Sequence, residues 1–243
     1  LNKKGDFTSR DSIAKTSLPY LQYECYVDKF SWDMTNKQLS LLNSSSTNSE
    51  GLESMPLKDL VDKQQPGATF VSTHQQQASL TFNAVNAKLD LKQNTLKADG
   101  VYMIKCADAA IKPDNYSLTI HPGAQMDTIE KAEILFNLDN RIHYAYNGRA
   151  HIASSKLYSA NGYIDYKDID GKTTPIFFKE ITSATGYSVG YADILEDKPL
   201  NLSSAFIFYG KVSVIANDSS LSFDGGVSLT MNCSSDKNTP WLK

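Results

Sequence analysis

The sequence predicts an all-β protein, built as stacked twisted sheets in a β-jellyroll or β-sandwich or as a wide β-solenoid, with at most one or two short helices. Three observations predict it. Apolar and polar residues alternate over long stretches, the pattern of half-buried strands, because successive side chains point to opposite faces of a sheet. One frame, apolar-x-apolar-x-Gly-x-apolar-x-apolar, occurs five times, centred on Gly100, Gly148, Gly162, Gly210 and Gly225. The 13 tyrosines and 10 phenylalanines fall mostly in these stretches, where aromatic side chains are favoured.

Along the chain, residues 1–17 are polar and are expected to be frayed or paired with a missing segment. Strand signals begin at Leu18: LQYECYV sets Leu21, Tyr23, Cys25 and Val27 on one face, and FSWDM sets Phe30, Trp32 and Met34 on one face. Residues 38–42 follow, and NSSSTNSEG at 43–51 reads as a loop by composition. SMPLKDLVDK at 54–63 predicts a short helix with Ser54 as N-cap and Pro56 in the first turn. Strands are expected at 69–73, 80–84 and 87–91, and then at 96–104. Residues 127–137 read two ways: Ile129, Ala132 and Phe136 have helical spacing, whereas Ile134, Phe136 and Leu138 alternate. After Arg141 almost every segment reads as strand.

Four of the five frame glycines follow Asp or Asn, and Asp-Gly or Asn-Gly commonly forms a two-residue hairpin turn. Parity argues against that turn. With Asp224-Gly225 as a loop, Val227 and Leu229 would leave the face that holds Leu221 and Phe223, whereas one bent strand keeps all four together. Gly148 and Gly162 give the same result, and Gly100 fits either geometry. The glycines are therefore expected to mark bends, bulges or close backbone approaches within long strands.

The spacing of the frames suggests duplication. Gly148 lies 48 residues after Gly100, and Gly210 lies 48 after Gly162; Pro113 and Pro175 each follow their glycine by 13. Units of about 62 residues, 98–159 and 160–222, are expected, with a third opened by Gly225 and truncated. The chain thus divides into an N-terminal β segment (1–95, with the polar loop and short helix) and a β-repeat region (96–243), which together can form one continuous domain. The opening LNKKGDFTSR carries no signal-peptide pattern and reads as the inside of a longer chain.

At 41% hydrophobic and 21% charged the composition is that of an ordinary globular chain, and no apolar run is long enough for a membrane helix. A net charge of −3 without a Lys/Arg cluster excludes a phosphate-tracking surface, so no nucleic-acid partner is expected. Abundant Asn, Ser, Thr and Tyr lean toward an extracytoplasmic setting: periplasm, outer membrane or cell surface. Cys25 and Cys233 fall on apolar parity and Cys106 follows a strand, so the three cysteines predict neither a disulfide scaffold nor a zinc site.

Chemistry is sparse. His143 and His151 share the polar parity of the Gly148 frame but have no third ligand in sight, and surface histidines are expected. Asp165, Asp168 and Asp170 precede Gly171 as in half a calcium loop; a hairpin turn explains the run better. No nucleophile elbow, phosphate loop or paired carboxylate stands out, so no enzyme, metal or cofactor is expected. Tyr20, Tyr23, Tyr26 and Trp32 are candidate binding residues, an aromatic platform for stacking on sugar rings. Tyr144, Tyr146, Phe206 and Phe208 lie on core parity and are expected to pack inside, with Arg149 and Lys211 outward.

The phrases LKADGVYMIKCADAAI and FYGKVSVIANDSSLSFDGGVSL resemble the repeat of the OstA-like, lipopolysaccharide-transport β-jellyroll superfamily. The matching positions are Ala98, Gly100, Ile104 and Ala107-Asp108-Ala109, and then Gly210, Val212 and Val214. About a third of the chain is covered, and the longer unit, the helices and the many aromatics depart from the pattern. The resemblance implies a curled sheet lining an apolar groove that binds or conducts an acyl chain in the cell envelope. Three functions follow as expectations: a non-catalytic structural or interaction segment of a larger bacterial envelope β-repeat protein, partnered by neighbouring repeats or other envelope proteins; a lipid- or glycolipid-binding groove; or a carbohydrate-binding module.

Overall fold

A computed structural model describes residues 3–9, 14–44, 49–230 and 241–242. Among the described residues the chain weaves between two sheets, one of seven strands and one of fourteen, and every strand pair is antiparallel. β1 (Lys4–Thr8) joins the smaller sheet; β2 (Ala14–Leu18) and β3 (Tyr23–Val27) form a hairpin in the larger. β4 (Lys29–Asp33) and β5 (Gln38–Leu42) return to the smaller sheet, and β6 (Ala68–Ser72) and β7 (Thr81–Ala84) to the larger. β8 (Asn86–Asp90) with β9 (Thr95–Asp99), then β12 (Ser117–His121) with β13 (Gln125–Met126), complete the smaller sheet around β10 (Ile104–Cys106) and β11 (Ala109–Lys112) in the larger. From β14 (Ile129–Leu135) onward every strand among the described residues belongs to the larger sheet. It runs as a meander of longer strands: β15 (Tyr144–Ser154), β16 (Leu157–Lys167), β17 (Thr173–Thr182), β18 (Val189–Ile194), β20 (Phe206–Ile215) and β21 (Ser222–Leu229). The two-residue β19 (Leu200–Asn201) pairs with β20.

The weave follows from alternation. Most of the short strands have one apolar face, and two such faces must be stacked to leave water. Leu41, Leu89, Leu96, Leu118 and Ile120 of the smaller sheet meet Tyr23, Phe70, Phe82, Ile111 and Ile134 of the larger in one buried core. Phe70 and Phe82 stack there with ring centroids 5.1 Å apart. Two of the smaller sheet's hairpins, β4–β5 and β8–β9, turn by one device. Asp33 accepts hydrogen bonds from the backbone N–H of Thr35 and Asn36, and Asp90 from those of Lys92 and Gln93. Lys37 and Asn94 then take positive φ to close the two loops.

Several expectations change. Residues 4–8 and 14–18 are strands paired to β4 and β3, not a frayed tail. The first helix is a single turn, α1 (Leu57–Leu60), which begins after Pro56; Ser54 does not cap it, because its hydroxyl bonds back to the Gly51 carbonyl at 3.2 Å. Residues 127–137 resolve in favour of strand, β14. α1 lies over the outer face of the larger sheet, where Leu57, Leu60 and Val61 pack against Tyr102, Met103, Ala110 and Leu135. Among the described residues, no helix is long and apolar enough to cross a membrane.

Four frame glycines lie inside strands, as parity required, and they oppose each other across the ladder. Gly210 pairs directly with Gly225. A Cβ on Gly148 would stand 1.8 Å from the Asn161 carbonyl oxygen and 3.0 Å from the Gly162 Cα, so the β15–β16 backbones approach closer than any side chain permits. Gly100 is different. With φ +72° it ends β9 and starts the crossover to the larger sheet, so it is no strand bend. The 95/96 division falls inside β9, and both sheets run across it.

Candidate functional site

The four candidate aromatics do not assemble. Tyr23 points into the core, fully buried, and its hydroxyl donates to Gln77 Oε1 at 3.1 Å, so it is no binding surface. Its phenol is pushed well above the usual tyrosine range by burial. Tyr26 lies three residues on, on the opposite face of β3, half-buried. Trp32 stands exposed on β4 in the other sheet. Tyr20, 72% exposed, sits in the β2–β3 turn, whose geometry is set by Leu21 N–H to Leu18 O and Gln22 N–H to Pro19 O.

Tyr20 does border an opening. A cleft of about 390 Å³ lies where the β2–β3 turn faces the ends of β5 and β8. Its walls are Leu18, Pro19 and Tyr20 from the larger sheet, and Leu39, Leu89 and Leu91 from the smaller. Leu39 and Leu89 are cross-strand partners, so they stand side by side on the sheet's inner face. Leu18 and Leu89 belong to the buried core, whereas Leu91 is 39% exposed; the cleft thus leads from the core to solvent. The Tyr20 carbonyl accepts the Gly123 N–H at 2.9 Å, which ties this wall to the turn before β13. A partly closed apolar space of this size suits a small apolar ligand or part of a chain.

The buried and half-buried groups that could do chemistry, Tyr158, Ser188, Asp108, Cys25 and Cys106, are held in the fold. Tyr158 Oη and Ser188 Oγ lie 2.6 Å apart, and Ser188 donates to Asp108 Oδ1 at 2.5 Å while its N–H donates to Oδ2 at 2.9 Å. Ser188 is fully buried, and the network locks the start of β18 to the β10–β11 turn. Cys25 and Cys106 are free and buried, and burial pushes both thiols up to about 12; Cys106 donates to the Ser154 carbonyl at 3.0 Å. Cys233 lies outside the described residues.

His143 is not a surface residue: it is buried, with Nε2 2.5 Å from the Asp218 carbonyl, while His151 is exposed on β15. Asp168 closes the β16–β17 turn by accepting the Lys172 N–H at 2.8 Å, and Asp170 accepts from Ser204 N–H. Among the described residues no group of three His, Cys, Asp or Glu is placed to hold a metal.

Parity misplaces one group of side chains. Ala145 is buried, but so are Gly148, Ala150 and Ile152, so the inward parity changes between them. The cause is a bulge at Asn147, which has φ +54°, and the β15–β16 register shifts between Tyr146 and Arg149. Tyr144 and Tyr146 therefore turn to the outer face. Phe206 is also exposed, whereas Phe208 is buried as expected. No protein-family model matches the chain, and no curated protein or solved structure matches it.

Proposed function

We propose that this chain is a non-catalytic binding segment of a cell-envelope β protein and that its apolar cleft takes the acyl chain of a lipid or glycolipid. The observation that carries the reading is the cleft itself, in which aliphatic side chains of both sheets line a path from core to solvent with Tyr20 at the mouth. Burying a methylene there is worth about 0.8 kcal/mol. The resemblance to the OstA-like superfamily supports the same ligand class, and the commitment of Ser188, Asp108 and both described cysteines to buried contacts supports a binding role over a catalytic one.

The test is denaturing extraction of natively purified protein followed by mass spectrometry, with titration by a fluorescent fatty acid. The reading expects a released acyl species and saturable binding that Leu91→Lys, at the exposed rim, weakens about tenfold or more. An empty protein that also fails to bind the probe overturns it.

A second reading has its own support. Among the described residues β1 and β2 are each paired along one edge only. Such open edges accept another strand, as a segment stacked on neighbouring β-repeats or other envelope proteins requires. Proline at Ser17, whose N–H faces away from β3, would remove one edge donor and is expected to abolish any self-association seen by light scattering.

A further inference from the structure

The outer face of the β15–β17 meander carries a row of aromatic rings far along the larger sheet from the apolar cleft. Tyr144, Tyr146, Tyr163 and Phe177 follow one another across three strands, with centroids 6.1, 6.1 and 5.1 Å apart. Register sets the row: Tyr146 pairs with Tyr163, and Tyr163 with Phe177. Tyr144, Tyr163 and Phe177 remain 38%, 36% and 45% exposed. Water-facing rings in a continuous row are unfavourable unless something covers them.

What lies beside the row narrows the occupant. Along each strand the next outward residues are Arg149, Asn161 and Lys179, and with His151 and Glu180 they line a shallow polar cleft of about 360 Å³. Arg149 is paired with Glu130 at 2.7 Å and Lys179 with Asp193, so neither cation is left for a phosphate. On the other flank Tyr146 donates its hydroxyl to Asp165 at 2.8 Å. The face thus offers flat apolar rings next to hydrogen-bond donors and acceptors whose two cations are already paired with carboxylates.

We infer that this face is a second binding site, whose ligand is a neutral oligosaccharide stacked on Tyr146, Tyr163 and Phe177 with its hydroxyls turned to Asn161, Arg149, Glu180 and Asp165. A pyranose has an apolar face and a rim of hydroxyls, and ring stacking with paired hydrogen bonds is the chemistry that recognises it. The inference does not depend on the acyl cleft.

The test uses a printed array of neutral oligosaccharides and affinity electrophoresis in gels containing dextran, mannan or xylan. The parent chain is expected to be retained on at least one of these. Tyr163→Ala and Phe177→Ala are each expected to weaken retention about tenfold, and Phe177→Tyr to preserve it. Tyr20→Ala, at the acyl cleft, should leave retention unchanged, so the two sites can fail separately. Thermal melts monitor folding, since rings that serve only to brace the sheet would lower stability without altering retention. Absence of retention on every array spot and gel overturns the inference, and so does full retention by folded Tyr163→Ala and Phe177→Ala variants.

Discussion

Tyr158 shows how single residues serve this fold. Its ring is buried in the core, and its hydroxyl completes the chain from Ser188 to Asp108. Tyr158→Phe keeps the ring and removes that partner. It is expected to cost about 1–3 kcal/mol, read as a lower urea midpoint with an unchanged slope; an unchanged midpoint would show that the network contributes nothing. Tyr158 was legible as a core residue, since it shares the parity of Ala160 and Ile164. Its polar partners were not, because Asp108 and Ser188 are 80 residues apart in sequence and nothing local marks them as neighbours. The Tyr23 parity with Leu21, Cys25 and Val27 did point inward, and the structure follows parity over the platform.

Elements depend on where backbones touch. Gly148→Ala places a methyl against the Asn161 carbonyl, and overpacking of that kind costs about 1–3 kcal/mol; the expected result is a lowered melting temperature and a disordered β15–β16 ladder by hydrogen exchange.

The single-turn α1 is held differently. Arg141 donates two hydrogen bonds of 2.6 Å to the two oxygens of Asp62 and a third of 3.0 Å to the Lys58 carbonyl. The Arg141 guanidinium beside Asp62 holds that carboxyl below the usual carboxylate range. A depressed folded-state value means the stabilisation is complete above the unfolded carboxylate range and is lost as pH falls through the folded value. Exchange protection of the Val61 amide is therefore expected to fall on acidification, and Arg141→Ala should remove that pH dependence. Composition suggested a helix here; its brevity reflects how little of α1 is buried beyond Leu57 and Leu60.

At the scale of the molecule the two sheets form one body across the 95/96 division. A cut there splits β9, parting Thr95 from Leu96 and Ala98, which are buried between the sheets. Neither half is expected to fold alone, checked by far-UV circular dichroism and amide shift dispersion of the separate fragments; an independently folded 96–243 fragment would contradict this. The glycine spacing that pointed to duplication acquires another meaning beside the topology. Gly148 faces Gly162 and Gly210 faces Gly225 across neighbouring strands, while Gly100 is a crossover. The Asp33 and Asp90 hairpins of the smaller sheet share a second sequence signature, Asp followed by a polar loop, which carries no glycine to mark it.

The all-β class, the inward parity of most strands and the placement of four glycines within strands rest on local alternation, and they are readable from residues a few positions apart. Which strands share a sheet, and which way Tyr144 and Tyr146 face, depends on non-local pairing. One extra residue at the Asn147 bulge reverses the face of everything before it. That reversal turned two expected core tyrosines into half of an exposed aromatic row, and only the ladder formed by β14, β15 and β16 could impose it.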